Sequence, residues 1–427
     1  MHQPQHAVGG DRPPASAVAG GPGPAGSAAA SPLAVAVEAT ALLGVQTGVG
    51  RFCHHALAAL ADRPDLSVTA FAVTWRRRGR LVPEVPAGVA AHQRAMPARP
   101  LHAAWARWGW PPIEWFTGPA DVVHGTNFVV PPARRAVRVV TVHDLTTVRF
   151  PEMCDTATLA FPALVRRAVQ DGAWVHTPSA FVAEEVVAEF GADPGRVRAV
   201  HHGVPGSPPP SGRRAADLLE LPPSIARYIL AVGTVEPRKD FPGLVRAFDR
   251  LAADHPDVAL VVVGPDGWGA GALQRAIATA RFGSRVVRCG YLDGADLARV
   301  LADAAVLAYP SRYEGFGFPP LEAMAAGVPV VATAAGAIPE VVGDAAVLVP
   351  PGDDDALAGA LVAVLDDAGI GVMGPGSTDP GTGPGADGPD GGGLGGLIER
   401  GRRRAASFTW AACGAGLDAL YRDGVAS

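Results

Sequence analysis

The stretch SRYEGFGFPPLEAMAAGVPVV, residues 311 to 331, sets the reading of this chain. Two glutamates eight positions apart, Glu314 and Glu322, flank the turn Gly315-Phe316-Gly317, and a proline pair and an apolar run follow. The pattern predicts a tight loop, a helix over 319–327 and then a buried strand, with both carboxylates at the mouth of that strand.

Working outward, the same alternation recurs on both sides. The runs YILAVG, VALVVVG, RVVRCG, AVLAYP, VPVVAT and AVLVP are continuous in Val, Ala and Leu, which suits parallel strands covered on both faces. Helical spacing over 241–254, 271–282, 294–304 and 319–327 separates them, so residues 225–368 read as a doubly wound α/β domain. An earlier set, LAVAVEA, SVTAFAV, DVVHG, RVVTVHD, AWVHTPS and RVRAVHHGV, alternates with helices near 50–62, 155–170 and 179–190. Residues 32–205 therefore read as another such domain.

The proline-rich stretch 206–224 reads as a semi-rigid connector between the two. Residues 1–31 and 369–396, dominated by Gly, Pro, Ala and Ser, read as a disordered tail and a disordered insertion. Residues 397–427 carry Phe408, Trp410, Leu417 and Tyr421 at helical spacings and read as a closing C-terminal helix.

A length of 427 residues with 48% hydrophobic content accommodates two cores. The net charge of −5 gives no reason to expect a nucleic-acid partner. Four scattered cysteines, Cys53, Cys154, Cys289 and Cys413, form no CxxC pair, which points to reduced thiols and a cytoplasmic protein. The first thirty residues lack the charged start and apolar core of a signal peptide, and no run approaches the ~20 apolar residues of a membrane span. The furthest expectation in that direction is peripheral association at the inner face of the membrane. The basic stretch TWRRRGRLVPE, residues 74–84, meets either a polyprenyl diphosphate headgroup or only solvent.

Ligands of open parallel sheets bind beyond the carboxyl ends of the strands, so residues there are candidates. Gly233 ends one strand, and Arg238 and Lys239 follow it just before a helix, where two cations suit a phosphate. Carboxylates accept hydrogen bonds from vicinal hydroxyls, so Glu314 and Glu322 suit a sugar or a ribose. Amides around Gly315, Phe316 and Gly317 suit a phosphate cap. Gly48 and Gly50 in TGVGRF either contact a ligand or serve only the turn. His143 is expected to donate to a sugar hydroxyl or the reacting centre, with Asp144 orienting it. The pairs His54-His55 and His201-His202 lack a third ligand, and Asp353-Asp354-Asp355 reads as a helix cap, so no metal site is expected. Trp105, Trp108, Trp110 and Trp115 read mainly as packing residues, with a lesser reading as an apolar lip.

EGFGFPPLE resembles the E-x7-E signature of retaining glycosyltransferases of the GT-B fold, and AVGTVEPRKDFPGLVRAF resembles the donor-diphosphate turn of family 4 of that class. TGVGRF, TVHDLTTVRFPE, TPSAFVAEEVV, VHHGV and AAGAIPEVVGDAAVLVPPGD are similar to further family segments in the right order, over roughly Leu33 to Leu365. The resemblance implies two Rossmann-like domains facing each other across a cleft. It implies a hexosyltransferase of mannosyltransferase type, with GDP-mannose as the first-choice donor ahead of UDP- or GDP-linked glucose-type donors, a glycan or lipid-linked acceptor as in polysaccharide biosynthesis, and no cofactor or metal. Glu322 would bind the ribose and Glu314 the donor sugar, while Arg238 and Lys239 would neutralise the departing diphosphate. Asp240 departs from the family's usual Asn or Gly; it is expected to cap the following helix as Asn does, but it adds a negative charge there. A nucleotide-sugar epimerase and a non-catalytic nucleotide-sugar-binding protein are the competing readings.

Overall fold

The computed structural model describes residues 31–44, 48–154, 158–204, 206, 210–367 and 393–427. Nearly all of the tail and most of the 369–396 insertion lie outside the described residues.

Among the described residues the apolar runs form twelve strands, and the two-residue Ala90–Ala91 adds a thirteenth. Seven belong to the first lobe: β1 (Leu33–Glu38), β2 (Leu66–Phe71), β3 (Ala90–Ala91), β4 (Val122–Gly125), β5 (Val137–Thr141), β6 (Trp174–Thr177) and β7 (Val197–Ala199). Six form the second: β8 (Arg227–Val232), β9 (Val258–Val263), β10 (Val286–Gly290), β11 (Val306–Tyr309), β12 (Val330–Thr333) and β13 (Val347–Val349). The sheets run in the orders 3-2-1-4-5-6-7 and 10-9-8-11-12-13. All named pairings are parallel. In each sheet the order reverses beside the first strand, which opens a crevice at the carboxyl edge.

Strands such as β9, buried at every position, lack polar alternation because helices cover both of their faces. The helix Phe241–Leu251 shows how. Phe241, Leu244, Val245, Phe248 and Leu251 recur at helical spacing and pack with Ile229, Leu260 and Val262 of β8 and β9. Burying each such side chain contributes about 1.5–3 kcal/mol.

Two boundaries differ from the sequence reading. The connector is not merely extended: Ala215–Leu218 is helical, and Ala215 and Leu219 are buried with Tyr228 and Val300 in the second core. The C-terminal segment is two helices, Leu394–Ala406 and Trp410–Ala426, the first of which starts inside the stretch read as insertion. Thr409 caps the latter helix by accepting from the Ala412 amide at 3.1 Å. The former packs on the second lobe, with Gly401 against Met324. The latter returns to the first lobe, where Leu417, Leu420 and Tyr421 are buried with Val35, Phe52 and Leu57. Helical periodicity marks an apolar face but not which lobe covers it.

Candidate active site

A cavity of about 570 Å³ lies between the two sheets, within the size range of small-molecule sites. Gly48, Arg51, His143 and His202 line it from the first lobe, and Gly233, Arg238, Lys239, Glu314 and Glu322 from the second.

The basic turn is built by backbone geometry. β8 ends at Val232, Gly233 adopts φ 151°, and Pro237–Lys239 forms a single 3-10 turn. Asp240 then takes a left-handed conformation with φ 47°, which Asp tolerates, and its carboxylate accepts from the Gly243 amide at 3.3 Å. Arg312 Nε donates to the same carboxylate at 3.0 Å. Thus Asp240 caps the following helix as anticipated, and its charge is matched by an arginine.

Lys239 and Glu314 are each 6% exposed and in direct contact. Lys239 Nζ donates to Glu314 Oε1 at 2.6 Å and to the Tyr309 hydroxyl at 2.8 Å. Arg238 Nη1 donates to Glu314 Oε2 at 2.7 Å, and its Nε donates to Glu236 at 2.9 Å. Burial alone would raise the Glu314 carboxyl, but Arg238 and Lys239 outweigh it and hold the group down at about 2. Burial lowers Lys239, with Glu314 opposing. Burial also disfavours the charged guanidinium of Arg238, and Glu314 and Glu236 more than reverse this. Glu314 therefore does not stand free to receive sugar hydroxyls, as the sequence reading had it: it clamps both cations, leaving only its remaining lone pairs.

Glu322 sits in the helix Phe318–Ala326 and carries an ion pair to Arg51 of the opposite lobe. Arg51 also lies over the Phe318 ring, 5.1 Å from its centroid. Both glutamates face one cleft. Phe316 and Gly317 line it too, and Gly317, with φ 122°, starts that helix and turns its positive end toward the cavity. The Phe316 side chain is itself buried against His202, Phe318 and Phe408. Gly315 lines the cavity as well and also serves a packing need. A Cβ there would lie 1.8 Å from the His143 carbonyl oxygen, so the absence of a side chain lets the two lobes touch. Ser179 Oγ donates to the Gly315 carbonyl at 2.8 Å across the same junction.

His143 follows β5. Its Nε2 donates to the Thr126 carbonyl at 2.8 Å, and burial lowers its pKa, so the ring is neutral with Nδ1 as an acceptor. This corrects the expected donor role. Asp144 does not orient it, because its Oδ1 instead accepts from the Thr146 amide at 2.9 Å. Gly48 lines the cavity at the start of the helix Gly48–Ala61, but Gly50 is buried within that helix and does not reach the cavity.

Sequence reasoning missed Arg51, Tyr309 and His202. His202 is 2% exposed, stacks 4.3 Å from Phe52, and neither ring nitrogen has a hydrogen-bond partner among the described residues. The motif VHHGV contains the signal: it resembles a family segment, but its histidine pair by itself suggests only a metal and no ring packed at the cleft. Across the cleft, Tyr313 donates to Glu185 and accepts from the Leu145 amide at 2.9 Å. Glu340 accepts from the amides of Ala180 and Phe181 at 2.9 and 3.0 Å.

Among the described residues no group of three His, Cys, Asp or Glu side chains is arranged to hold a metal. Asp353 accepts from the amides of Asp355 and Ala356, capping its helix. Trp105 is buried and donates to the Pro111 carbonyl at 2.9 Å, whereas Trp108, Trp110 and Trp115 are exposed rather than packed.

Residues 46–206 match the family model Glycosyltransferase Family 4, and residues 226–367 match Glycosyl transferases group 1. The chain is 31% identical over 255 residues to the O-antigen chain mannosyltransferase B of Escherichia coli, covering 58% of this chain and 65% of that one. It is 34% identical over 199 residues to an MMP alpha-(1->4)-mannosyltransferase of Mycolicibacterium hassiacum, covering 44% of each. The match thus spans less than two thirds of these relatives. In fold it is similar to a sucrose-phosphate synthase of Thermosynechococcus elongatus, with TM-score 0.65, 20% identity, and 91% and 98% of the two chains covered. It is likewise similar to Anabaena HepE, solved with UDP and glucose, with TM-score 0.65, 16% identity and the same coverage. With both lobes matched in order and two parallel sheets facing one cleft, the chain belongs to the group 1, family 4 glycosyltransferases and has the GT-B fold.

Proposed function

We propose that the protein is a retaining glycosyltransferase that moves mannose from GDP-mannose to a hydroxyl of a glycan or lipid-linked acceptor. The observation that carries this reading is the convergence of Arg238, Lys239, Glu314 and Glu322 of one lobe with His143 of the other on a single cleft. Arg238 and Lys239 stabilise the charge that grows on the departing diphosphate, and Glu314 keeps them preorganised. Glu322 takes the ribose hydroxyls once Arg51 is displaced. His143 accepts a hydrogen bond from a hydroxyl of the donor sugar through Nδ1. Asp144 is engaged with Thr146, which supports a course in which the acceptor hydroxyl enters on the leaving-group side and the phosphate takes its proton. Closure of the lobes excludes water from the donor.

Mannose is favoured because both relatives named above are mannosyltransferases. No helix among the described residues is long and apolar enough to cross a membrane, so reaching a lipid-linked acceptor requires a surface contact. In this reading the two cations do the work of a metal, and turnover persists with a chelator present. The test is a panel of nucleotide sugars, each offered with and without polyprenyl-linked acceptors. Acceptor-dependent release of GDP from GDP-mannose supports the proposal. Release of a rearranged free nucleotide sugar without acceptor marks an epimerase instead, and binding without turnover marks a binding protein.

A further inference from the structure

The overall charge of −5 conceals a strongly basic region in the first lobe. Residues 73–138 hold ten arginines against three acidic residues, Glu84, Glu114 and Asp121, and five of the chain's eight tryptophans. Two of those acids are occupied by backbone amides. Glu114 Oε1 accepts from the amides of Arg134 and Arg135 at 2.7 and 3.2 Å, and Asp121 accepts from the Ala34 amide at 2.8 Å.

The hydrogen bonds on this lobe bring the exposed groups together. Arg94 donates to the Trp115 carbonyl, the rings of Trp110 and Trp115 meet edge to face at 5.0 Å, and Glu114 ties this segment to Arg134 and Arg135. Trp108, Trp110 and Trp115 are 70%, 54% and 51% exposed, and Arg94, Arg134 and Arg135 are exposed beside them. Among the described residues no carboxylate side chain pairs with Arg134 or Arg135. Exposed indole rings leave apolar area in water, and the guanidinium groups of Arg134 and Arg135 beside them are open to solvent. They suit the interface of a bilayer, where the ring enters the headgroup layer and the cation meets phosphate.

We propose that this face docks onto the surface of an anionic phospholipid bilayer. The loop that carries Arg134 and Arg135 begins at Asn127 and Phe128, which line the cleft, so a docked lobe presents the cavity close to the lipid surface. Exposed tryptophans favour a bilayer over a soluble polyanion, which would use the arginines and leave the indoles wet. The inference adds a location to the lipid-linked acceptor reading, but it is measured by binding alone, so either can fail without the other.

The experiment sediments the full chain with vesicles of phosphatidylcholine, with and without phosphatidylglycerol. Sedimentation only with the anionic vesicles, weakened by salt and accompanied by a blue shift of tryptophan emission, is the expected result. One basic residue near such a surface is worth about fivefold in partitioning, so Arg134→Glu with Arg135→Glu is expected to lose at least about tenfold. Trp108→Ser with Trp110→Ser should lose both affinity and the blue shift. Both double variants should keep the thermal unfolding midpoint and turnover with a water-soluble acceptor. Absence of vesicle binding by the parent chain, equal binding by both variants, or binding to dextran sulfate but not to vesicles would each overturn the proposal.

Discussion

Arg51 of the first lobe and Glu322 of the second form an ion pair that bridges the cleft where the nucleotide's ribose is proposed to lie. The pair is partly exposed, 29% and 11% for the two side chains, which puts its worth at no more than about 1 kcal/mol. Since the ribose must take Glu322 from Arg51, removing the arginine should help the nucleotide. Arg51→Met is expected to tighten GDP binding about two- to fivefold by calorimetry. Glu322→Ala, which removes a charged acceptor for two hydroxyls, is expected to weaken it about tenfold or more. Weaker GDP binding by Arg51→Met would show that Arg51 holds the nucleotide rather than competing with it.

The clamp of Glu314 on Arg238 and Lys239 makes the two cations unequal in what their loss costs. Lys239→Met leaves the buried Glu314 carboxylate with Arg238 as its remaining cation, and unfolding in urea should reveal a loss of about 1.5–3 kcal/mol. Adding Glu314→Gln to that variant removes the under-compensated carboxylate while Arg238 keeps Glu236, and should recover part of the stability while turnover stays lost. Arg238→Ala, at a more open position, should lower kcat about a hundred- to a thousandfold. Recovery of turnover in the Lys239→Met, Glu314→Gln double variant would refute the electrostatic role.

His143 is held neutral by burial, with its proton on Nε2 by virtue of Thr126. Its service as an acceptor is then available throughout the neutral range, and kcat should be flat from about pH 8 down through the ordinary histidine value near 6.5. His143→Ala, which removes one hydrogen-bond acceptor, is expected to cost about tenfold in kcat. An acidic limb near pH 6.5 in the parent enzyme that vanishes in this variant would contradict the neutral-acceptor role.

A chain of polar contacts ties the returning C-terminal helix to the first lobe. His176 Nε2 donates to the Val200 carbonyl at 3.1 Å, and its Nδ1 accepts from Thr141 at 2.9 Å. Thr141 accepts from His124 Nε2, and His124 Nδ1 accepts from Tyr421, both at 2.7 Å. Every ring in this chain must be neutral. Burial lowers His176 from its ordinary 6.5 to about 3, and it lowers His124 well below that ordinary value. Between about pH 6.5 and 3 the unfolded chain binds protons that the folded one refuses, so stability is complete above 6.5 and falls with pH below it. The slope should approach ~1.4 kcal/mol per pH unit for each such histidine. Urea unfolding at a series of pH values checks this, and His176→Gln should reduce the slope by about one proton's worth. An unchanged slope in that variant would remove His176 from the account.

Much of the architecture was legible because strands buried on both faces leave a continuous apolar signal whatever they pair with. β9 through β13 each fall within a run quoted from the sequence, β8 exceeds its run by Arg227 alone, and residues just past β8 to β11 line the cleft. The backbone role of Asp240 was equally local, since a helix cap depends on residues three positions apart. Gly50 misled for a related reason. A glycine following a strand permits close approach, but only the phase of the helix decides whether it faces a ligand or the core, and here it is the core.

The alternation of elements, the two lobes and the edge at which chemistry collects were thus determined by the sequence alone, through short-range periodicity and the covering of sheets. Only the tertiary structure decided the partners. Lys239 and Glu314 are 75 positions apart, Arg51 and Glu322 are 271 apart, and Tyr421 meets His124 across 297. Such contacts depend on strand order and on how closely the lobes approach, as at Gly315 against His143. A charged side chain read along the chain shows what it can bind, while its actual partner is set by which distant groups the packed sheets leave within reach.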